Sequence, residues 1–136
     1  MMRLEEILSE DQVVDEEIRS WVANDSKTAL TRHYLARENG IEVGFLSADV
    51  DSECEYFVIY KLFVPPRLRR QGLGNLILKA AEELGSSLGF RKSLLRAHTL
   101  ADKFSQQDLE DWYFRHGYSI LPDSGDALVK DIAKGP

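Results

Sequence analysis

The spacing of apolar residues near the start of the chain predicts an amphipathic helix over residues 10–24. Ser9 and Gln12 have the spacing of a capping box, which is typical of a helix start. Acidic residues occupy much of the remaining helix surface, as expected of a face in contact with water. The residues expected on the buried face are Val14, Ile18, Trp21 and Val22.

Two further helices are predicted in the second half of the chain. The clearer one has apolar residues at i, i+3, i+4, i+7, i+8 and i+11, and Gly85 or Gly89 can end it. Ser105 can cap the other helix, which extends as far as Gly117. The first apolar stripe consists of Leu73, Leu76, Ile77, Ala80, Ala81 and Leu84, and the second of Leu109, Trp112 and Tyr113.

Runs of β-branched and aromatic residues predict the strands. Residues 31–37 and 41–50 flank the tight-turn sequence Glu38-Asn39-Gly40. Residues 55–64 are apolar on both faces, which indicates a strand in the middle of a sheet, and two prolines end it. The other predicted strands are residues 3–8, 93–100, 118–121 and 127–132.

The order of these elements predicts an α+β fold, in which helices cover both faces of one mixed sheet as an α/β/α sandwich. A helix connects the strands predicted at residues 55–64 and 93–100, so we expect these two strands to be parallel. The remaining strands are expected to be mostly antiparallel. Because the chain has no repeat, low-complexity tract or linker, we interpret residues 1–136 as a single domain.

Charge and cysteine content narrow the class of protein further. The chain carries 17 basic and 23 acidic side chains, a net charge of −6, which argues against a nucleic-acid partner. The one cysteine, Cys54, cannot form an internal disulfide, so we expect a cytoplasmic location. No apolar run approaches the roughly 20 residues of a membrane helix. No group of His, Cys and carboxylate residues has metal-ligand spacing, so we expect neither a membrane partner nor a metal.

The segment PPRLRRQGLGN, residues 65–75, concentrates positive charge in this acidic chain. Its three arginines directly precede Gly72 and Gly74, which lie at the start of the second predicted helix. A helix N-terminus offers unpaired amides, glycine lets a ligand approach the backbone, and arginine suits phosphate oxygens. The segment therefore predicts a pyrophosphate site, and the alternative is a solvated basic turn. It is neither a P-loop nor a dinucleotide fingerprint, which would need glycine at Ile77.

Two segments together resemble the GNAT N-acetyltransferase superfamily. The family's signature for acetyl-coenzyme A, L-x-V-x-P-x-x-R-x-x-G-x-G, is similar to LFVPPRLRRQGLG, and its second segment, F-Y-x-x-x-G-F, is similar to WYFRHGY. The order of the predicted elements also resembles that family along the whole chain. The matching residues are Leu62, Val64, Pro66, Arg69, Gly72 and Gly74 in the first segment, and Trp112, Tyr113, Gly117 and Tyr118 in the second.

The resemblance implies a binding site for acetyl-coenzyme A as co-substrate. In this family the parallel strand pair splays apart, and the backbone of Leu62, Phe63 and Val64 would then pair with the pantetheine arm. Gln106 stands where many relatives carry an asparagine that contacts the same arm. The residues implied for the pyrophosphate are Arg69, Arg70, Gln71, Gly72, Leu73, Gly74 and Asn75.

The resemblance also implies direct attack by an amine, with Tyr113 as the general acid that protonates the departing thiolate. Some relatives place a glutamate base on the central strand where this chain has Val58. Three candidates for the base therefore stay open, namely His98, Glu55 and an ordered water chain.

The leading hypothesis is an N-acetyltransferase that acts on a primary amine, either a small molecule or a lysine or N-terminal amine. The acidic helix together with Asp51, Glu53 and Glu55 could favour a cationic acceptor, or these residues could form only a solvated face. The alternative function is a non-catalytic module that binds coenzyme A or a protein. A homodimer is a further expectation, because the strands at the end of the chain could pair with a second copy.

Overall fold

A computed structural model gives the fold of residues 1–69, 71–96, 106–125 and 127–132. These residues form the strands β1 (Met2–Ile7), β2 (Thr31–Glu38), β3 (Ile41–Asp49), β4 (Tyr56–Phe63), β5 (Lys92–Arg96), β6 (Ser119–Ile120) and β7 (Ala127–Asp131). They also form the helices α1 (Glu16–Asn24), α2 (Leu73–Ser87) and α3 (Gln106–Arg115), and two short 3₁₀ helices, Glu10–Gln12 and Pro66–Leu68. Arg70, His98 and Ser105 lie outside the described residues, as does the end of the strand predicted at residues 93–100.

The strands form one sheet in the order β1-β2-β3-β4-β5-β7-β6. Every neighbouring pair is antiparallel except β4 and β5, which are parallel and are connected through α2. The predicted fold class is therefore confirmed, and so is the parallel pair. A connection through a helix is what a parallel pair requires, because its two strands must begin at the same edge of the sheet.

Helices cover the two faces of the sheet and create two apolar cores. Residues alternate between the faces along each strand, so that Leu35 of β2 packs towards α1 while its neighbour Tyr34 packs towards α2. On the α1 side, the indole of Trp21 stacks on Phe63 of β4 with ring centroids 4.4 Å apart. On the α2 side, Ile77 joins a larger cluster that includes residues of β3, β4 and β5. In the described part of the chain no helix has the length and apolar character needed to cross a bilayer.

The prediction of one continuous helix over residues 10–24 is wrong, although the predicted capping box is confirmed. Ser9 and Gln12 cap a 3₁₀ helix of three residues, and α1 begins only after Asp15, whose carboxylate accepts a hydrogen bond from the Ile18 amide at 3.0 Å. The extended backbone between these helices reverses the expected orientation of its side chains. Val13 is therefore buried, whereas Val14 is 78% exposed.

The second predicted helix is confirmed, with two corrections to its buried face and its end. Leu78 is buried in place of Leu76, which is 42% exposed. Gly85 lies inside α2 and does not end it. Its role is close packing, because a Cβ at this position would lie 2.9 Å from the Phe57 ring of β4.

A buried carboxylate joins the end of α1 to three neighbouring strands. The side chain of Asp25 is 0% exposed, and its Oδ2 lies 2.8 Å from His33 Nε2 and accepts a hydrogen bond from the Ser47 hydroxyl at 2.7 Å. Lys61 Nζ lies 3.0 Å from the other oxygen, Oδ1. Burial raises the pKa of Asp25, but the contacts from Ser47, Lys61 and His33 outweigh burial and hold the pKa below its ordinary value of 3.8.

The lowered pKa of Asp25 predicts a specific loss of stability in acid. A carboxyl whose folded pKa lies below its unfolded pKa stabilises the fold above the unfolded value, and this contribution disappears as the pH falls through the folded value. We expect Asp25→Asn to lower the free energy of unfolding at pH 7 by about 1–3 kcal/mol. The gap between the two proteins should narrow as the pH falls below 3.8. Urea unfolding from pH 7 to pH 3 measures the gap, and a constant gap would contradict a stabilising carboxylate charge.

Candidate active site

The parallel pair β4 and β5 leads towards the basic loop. Its described register joins Tyr56 to Lys92, Phe57 to Ser93 and Val58 to Leu94. Residues 61–63 continue β4 and pair with β3. The positions that would continue the register beside residues 61–63 on the β5 side lie outside the described residues. A strand edge that has no strand partner can accept an extended ligand along its backbone.

A β-bulge lies in β4, two residues beyond its described pairing with β5. Ala48 of β3 pairs with Ile59, but the preceding residue, Ser47, pairs with Lys61, so Tyr60 is an extra residue in β4. The bulge shifts the alternation of side chains between the two faces by one residue. Ile59, before the bulge, faces α2. Lys61 would face the same way in a regular strand, but it faces α1 instead. The side chain of Tyr60 is half exposed at this point.

The N-terminus of α2 follows this strand closely and lacks a side-chain cap. The N-cap residue is Gly72, which has a φ of +74° and can make no side-chain hydrogen bond. The amides of Leu73, Gly74 and Asn75 form the first turn, where no intrahelical acceptor is available. Among the described residues, a Cβ on Gly74 would meet only Trp112 Cζ2, at 3.9 Å. Such a helix end attracts anions.

The two described arginines of the basic segment have different partners. Arg67 forms ion pairs with Asp15 and with Glu17, the latter at 2.8 Å, and so connects the loop after β4 to the start of α1. Arg69 Nε instead donates a hydrogen bond to the Val64 carbonyl at 3.0 Å, which folds this side chain back along the loop towards the end of β4. The two arginines therefore have separate roles: Arg67 connects the loop to α1, and Arg69 lies along the loop.

Tyr113 is fully buried and lies in an aromatic cluster of α3 and its neighbours. Its ring centroid is 5.0 Å from that of Trp112 and 5.8 Å from that of Tyr118. The Tyr118 hydroxyl donates to Glu82 at 3.0 Å and accepts from Ser93 at 2.8 Å. Burial, and after it the Glu82 carboxylate, raises the pKa of Tyr118. Tyr118 thus anchors the cluster through α2 and β5 and is unsuited to proton donation near neutral pH.

These features have a counterpart among known proteins. A family model described as an acetyltransferase (GNAT) domain matches residues 29–120. The chain belongs to the GNAT acetyltransferase family. The matched region of this GNAT chain includes β4, the basic loop, the start of α2 and the aromatic residues of α3. Comparison with curated protein sequences gives no significant match.

Solved structures of the family share the fold over nearly the full length of this GNAT chain. A PaiA N-acetyltransferase from Thermoplasma acidophilum, in complex with coenzyme A, is 13% identical with a TM-score of 0.62, covering 96% of this chain and 99% of its own. The ribosomal-protein-S18-alanine N-acetyltransferase from Escherichia coli is 16% identical with a TM-score of 0.66, covering 100% and 97%. A GNAT family acetyltransferase from Elizabethkingia anophelis with acetyl-CoA bound is 14% identical with a TM-score of 0.62, covering 96% and 97%.

Two other predicted site residues, Glu55 and Gln106, lie on different parts of this GNAT domain. Glu55 precedes β4 by one residue, at the end where β4 pairs with β5. At about 3.3 Å per strand residue, it lies roughly 13 Å of strand before Ile59. Gln106 begins α3, and His98 lies outside the described residues. Within the described residues no three His, Cys, Asp or Glu side chains are arranged to hold a metal ion.

The two glycines at the start of α2 should respond differently to alanine. Gly72→Ala places a Cβ on a left-handed residue and should lower the free energy of unfolding by about 1–2 kcal/mol. Among the described residues, Gly74→Ala meets only an ordinary contact, and it replaces glycine within a helix. The stability of this variant should therefore match the parent's or exceed it by less than about 1 kcal/mol. Chemical denaturation compares the two variants. Equal losses in both would contradict the left-handed N-cap.

Proposed function

We propose that this protein transfers the acetyl group of acetyl-CoA to a primary amine, by direct attack of the amine in a ternary complex. The observation that carries the proposal is the arrangement around β4. β4 continues to Phe63 in its pairing with β3, and an uncapped helix N-terminus begins ten residues beyond Phe63, at Leu73. In this proposal the end of β4 offers its backbone edge to the extended thiol arm, beside an anion site for the diphosphate.

The proposed cofactor contacts use mainly the backbone. Along the segment Leu62, Phe63 and Val64, the backbone groups that point away from β3 would pair with the amide groups of pantetheine, as an added strand would. The segment from Arg69 to Asn75, including Arg70 and Gln71, would surround the pyrophosphate. Because backbone groups need no side-chain rearrangement, both parts of the cofactor would find donors that the fold already orients.

Arg69 and Arg67 form a matched pair for testing this site. We expect Arg69→Ala to weaken acetyl-CoA binding by about 10- to 100-fold, the loss of one charge-assisted contact. Arg67→Ala should leave the affinity within about twofold, because Asp15 and Glu17 already neutralise Arg67. Isothermal titration calorimetry at constant ionic strength measures both affinities. If the two variants bind as tightly as the parent, or lose affinity equally, the assignment of the basic loop is wrong.

The chemical step needs a polarised thioester, a neutral amine and a proton for the leaving group. A backbone amide near the end of the strand pairing would stabilise the oxygen of the tetrahedral intermediate. The C–S bond then breaks, and the thiolate takes a proton from Tyr113. A phenol and a thiol have ordinary pKa values of about 10 and 8.5, so this transfer is energetically accessible. The burial of Tyr113 keeps competing water away from its ring.

Tyr113→Phe tests the acid while keeping the aromatic packing against Trp112 and Tyr118. We expect kcat to fall by about 10²- to 10⁴-fold with little change in acetyl-CoA affinity, since the hydroxyl acts only as bonds break. Steady-state kinetics from pH 6 to pH 10 measure the effect. The basic limb of the pH profile should also change. Unchanged turnover at every pH would show that Tyr113 is only a core residue.

We propose three candidates for the base that deprotonates the amine, namely Glu55, His98 and an ordered water chain. Val58 occupies the position of the glutamate found in some relatives and cannot accept a proton. Glu55 lies just before the start of β4, which disfavours direct contact with an amine near the other end of the strand. His98 and an ordered water chain are therefore the stronger candidates. The first-turn acids of α1 are partly neutralised by Arg67, which weakens their use for a cationic acceptor.

Val58, which cannot act as a base, also supports a second function. A domain that binds coenzyme A or a protein without turnover would keep the basic loop, the start of α2 and the strand edge of β4 but would not need a base. Thiol release from acetyl-CoA, measured against a panel of polyamines, aminoglycosides, amino acids and peptide amines, separates the two functions. Release with one class of amine supports the enzyme, and tight acetyl-CoA binding without release supports the binding module. For both functions we propose a cytoplasmic location, and we leave the homodimer as an expectation.

A further inference from the structure

The Asp25 cluster described above has no part in the proposed chemistry, and it lies directly beneath the bulge of β4. His33, Ser47 and Lys61 belong to three adjacent strands and occupy matching register positions, His33 opposite Ser47 and Ser47 opposite Lys61. Their side chains therefore form a row across the α1 face of the sheet. The carboxylate of Asp25 contacts all three, and His33 and Ser47 both contact its Oδ2, so that Oδ1 is directed at Lys61.

The ion pair between Asp25 and Lys61 can form only when β4 is bulged at Tyr60. Without the extra residue, Ser47 would pair with Tyr60, and Lys61 would move one position onward to the face that packs against α2. That face is apolar around Leu62 and Ile59. An ammonium placed there would be buried without its carboxylate, which is strongly unfavourable. The cluster thus selects the bulged register against the regular one.

The bulge is located where its effect on strand direction matters. It lies between the described pairing of β4 with β5, at Tyr56–Val58, and residues 61–63 at the end of the strand. A bulge bends its strand and increases the local twist. At this position the bend sets the direction of residues 61–63. The same register also directs Phe63 towards α1, where it stacks on Trp21, so two contacts hold the far end of the strand.

We propose that Asp25 is a positioning residue for the strand edge that binds acetyl-CoA. Through Lys61 it holds the Tyr60 bulge and thereby fixes the direction of residues 61–63, the part of β4 that the proposed function assigns to the pantetheine arm. This inference rests on the proposed function, because it assigns the pantetheine arm to that strand edge. Asp25 itself touches neither the cofactor nor the reacting atoms. The nucleotide half of coenzyme A, held at the start of α2, should not depend on Asp25.

The test compares two ligands on the full chain by isothermal titration calorimetry. The ligands are acetyl-CoA and 3′-phospho-ADP, the nucleotide half of coenzyme A without pantetheine. Asp25→Asn should weaken acetyl-CoA binding by about tenfold and 3′-phospho-ADP binding by less than about twofold. Lys61→Met is a milder second variant, because Met keeps the apolar stem beside Trp21, 5.6 Å from the ammonium, and removes only the charge. It should show the same selective loss.

Glu42→Gln is the matched control. Glu42 is a nearly buried carboxylate that accepts hydrogen bonds from the Val14 and Asp15 amides, so it holds the other end of α1 without contacting Lys61. Its affinity for both ligands should stay within about twofold of the parent's. Thermal unfolding midpoints recorded for each protein ensure that binding is measured on folded chains. The double variant of Asp25→Asn and Lys61→Met should bind no more weakly than the worse single variant, because the two residues act as one unit.

Four results would overturn the inference. The first is that Asp25→Asn and Lys61→Met bind acetyl-CoA as tightly as the parent. The second is that Asp25→Asn lowers the affinity for both ligands by the same factor, which indicates general loosening of the fold. The third is the same selective loss in Glu42→Gln, and the fourth is full additivity of Asp25→Asn and Lys61→Met in the double variant. A parent protein that binds no acetyl-CoA would instead overturn the proposed function itself, and the inference with it.

Discussion

The central constraint in this molecule is that one strand must satisfy two different requirements. At its start β4 pairs with β5, which joins the two halves of the sheet. Towards its end, the proposed function requires residues 61–63 to offer their backbone to a ligand while Leu62 and Phe63 stay buried on opposite faces. A strand edge without a partner strand is unfavourable unless its backbone groups find other partners. The β3 pairing, the cores on both faces and the loop that follows hold the strand in this position.

The two cores make this strand geometry possible because they act on alternate residues. Phe63 belongs to the α1 core and Leu62 to the α2 core, so neither face of the strand can rotate without exposing apolar surface. Arg67 and Arg69 then fix the loop from two sides, one through α1 and the other through the Val64 carbonyl. The first turn of α2 is thereby held at a fixed position relative to the strand edge. A backbone site of this kind depends on the rigidity of the scaffold more than on the identity of its side chains.

The sequence predicted the strands, the parallel pair and the helix after the basic loop, because hydrophobic periodicity and turn residues are local signals. It did not predict the break at Val13 and Val14, because a capping box has the same spacing before a 3₁₀ turn and before an α-helix. Nor did it reveal the bulge. A strand that is apolar on both faces gives no alternation from which an extra residue such as Tyr60 could be recognised.

Ion pairs between residues far apart in the sequence explain the other differences between the predicted and the observed site. Composition alone treats Arg67 and Arg69 as equivalent, yet the acids of α1, about fifty residues earlier in the chain, engage one of them and leave the other directed along the loop. The same reasoning applies to Lys61, which in the sequence appears as a charge interrupting an apolar strand. In the fold it is the partner of a buried carboxylate, and its position determines which way the strand beyond it turns. A charge that conflicts with the local apolar pattern can thus select one strand register, and this is the physical reason why a polar cluster outside the site can control the shape of the site.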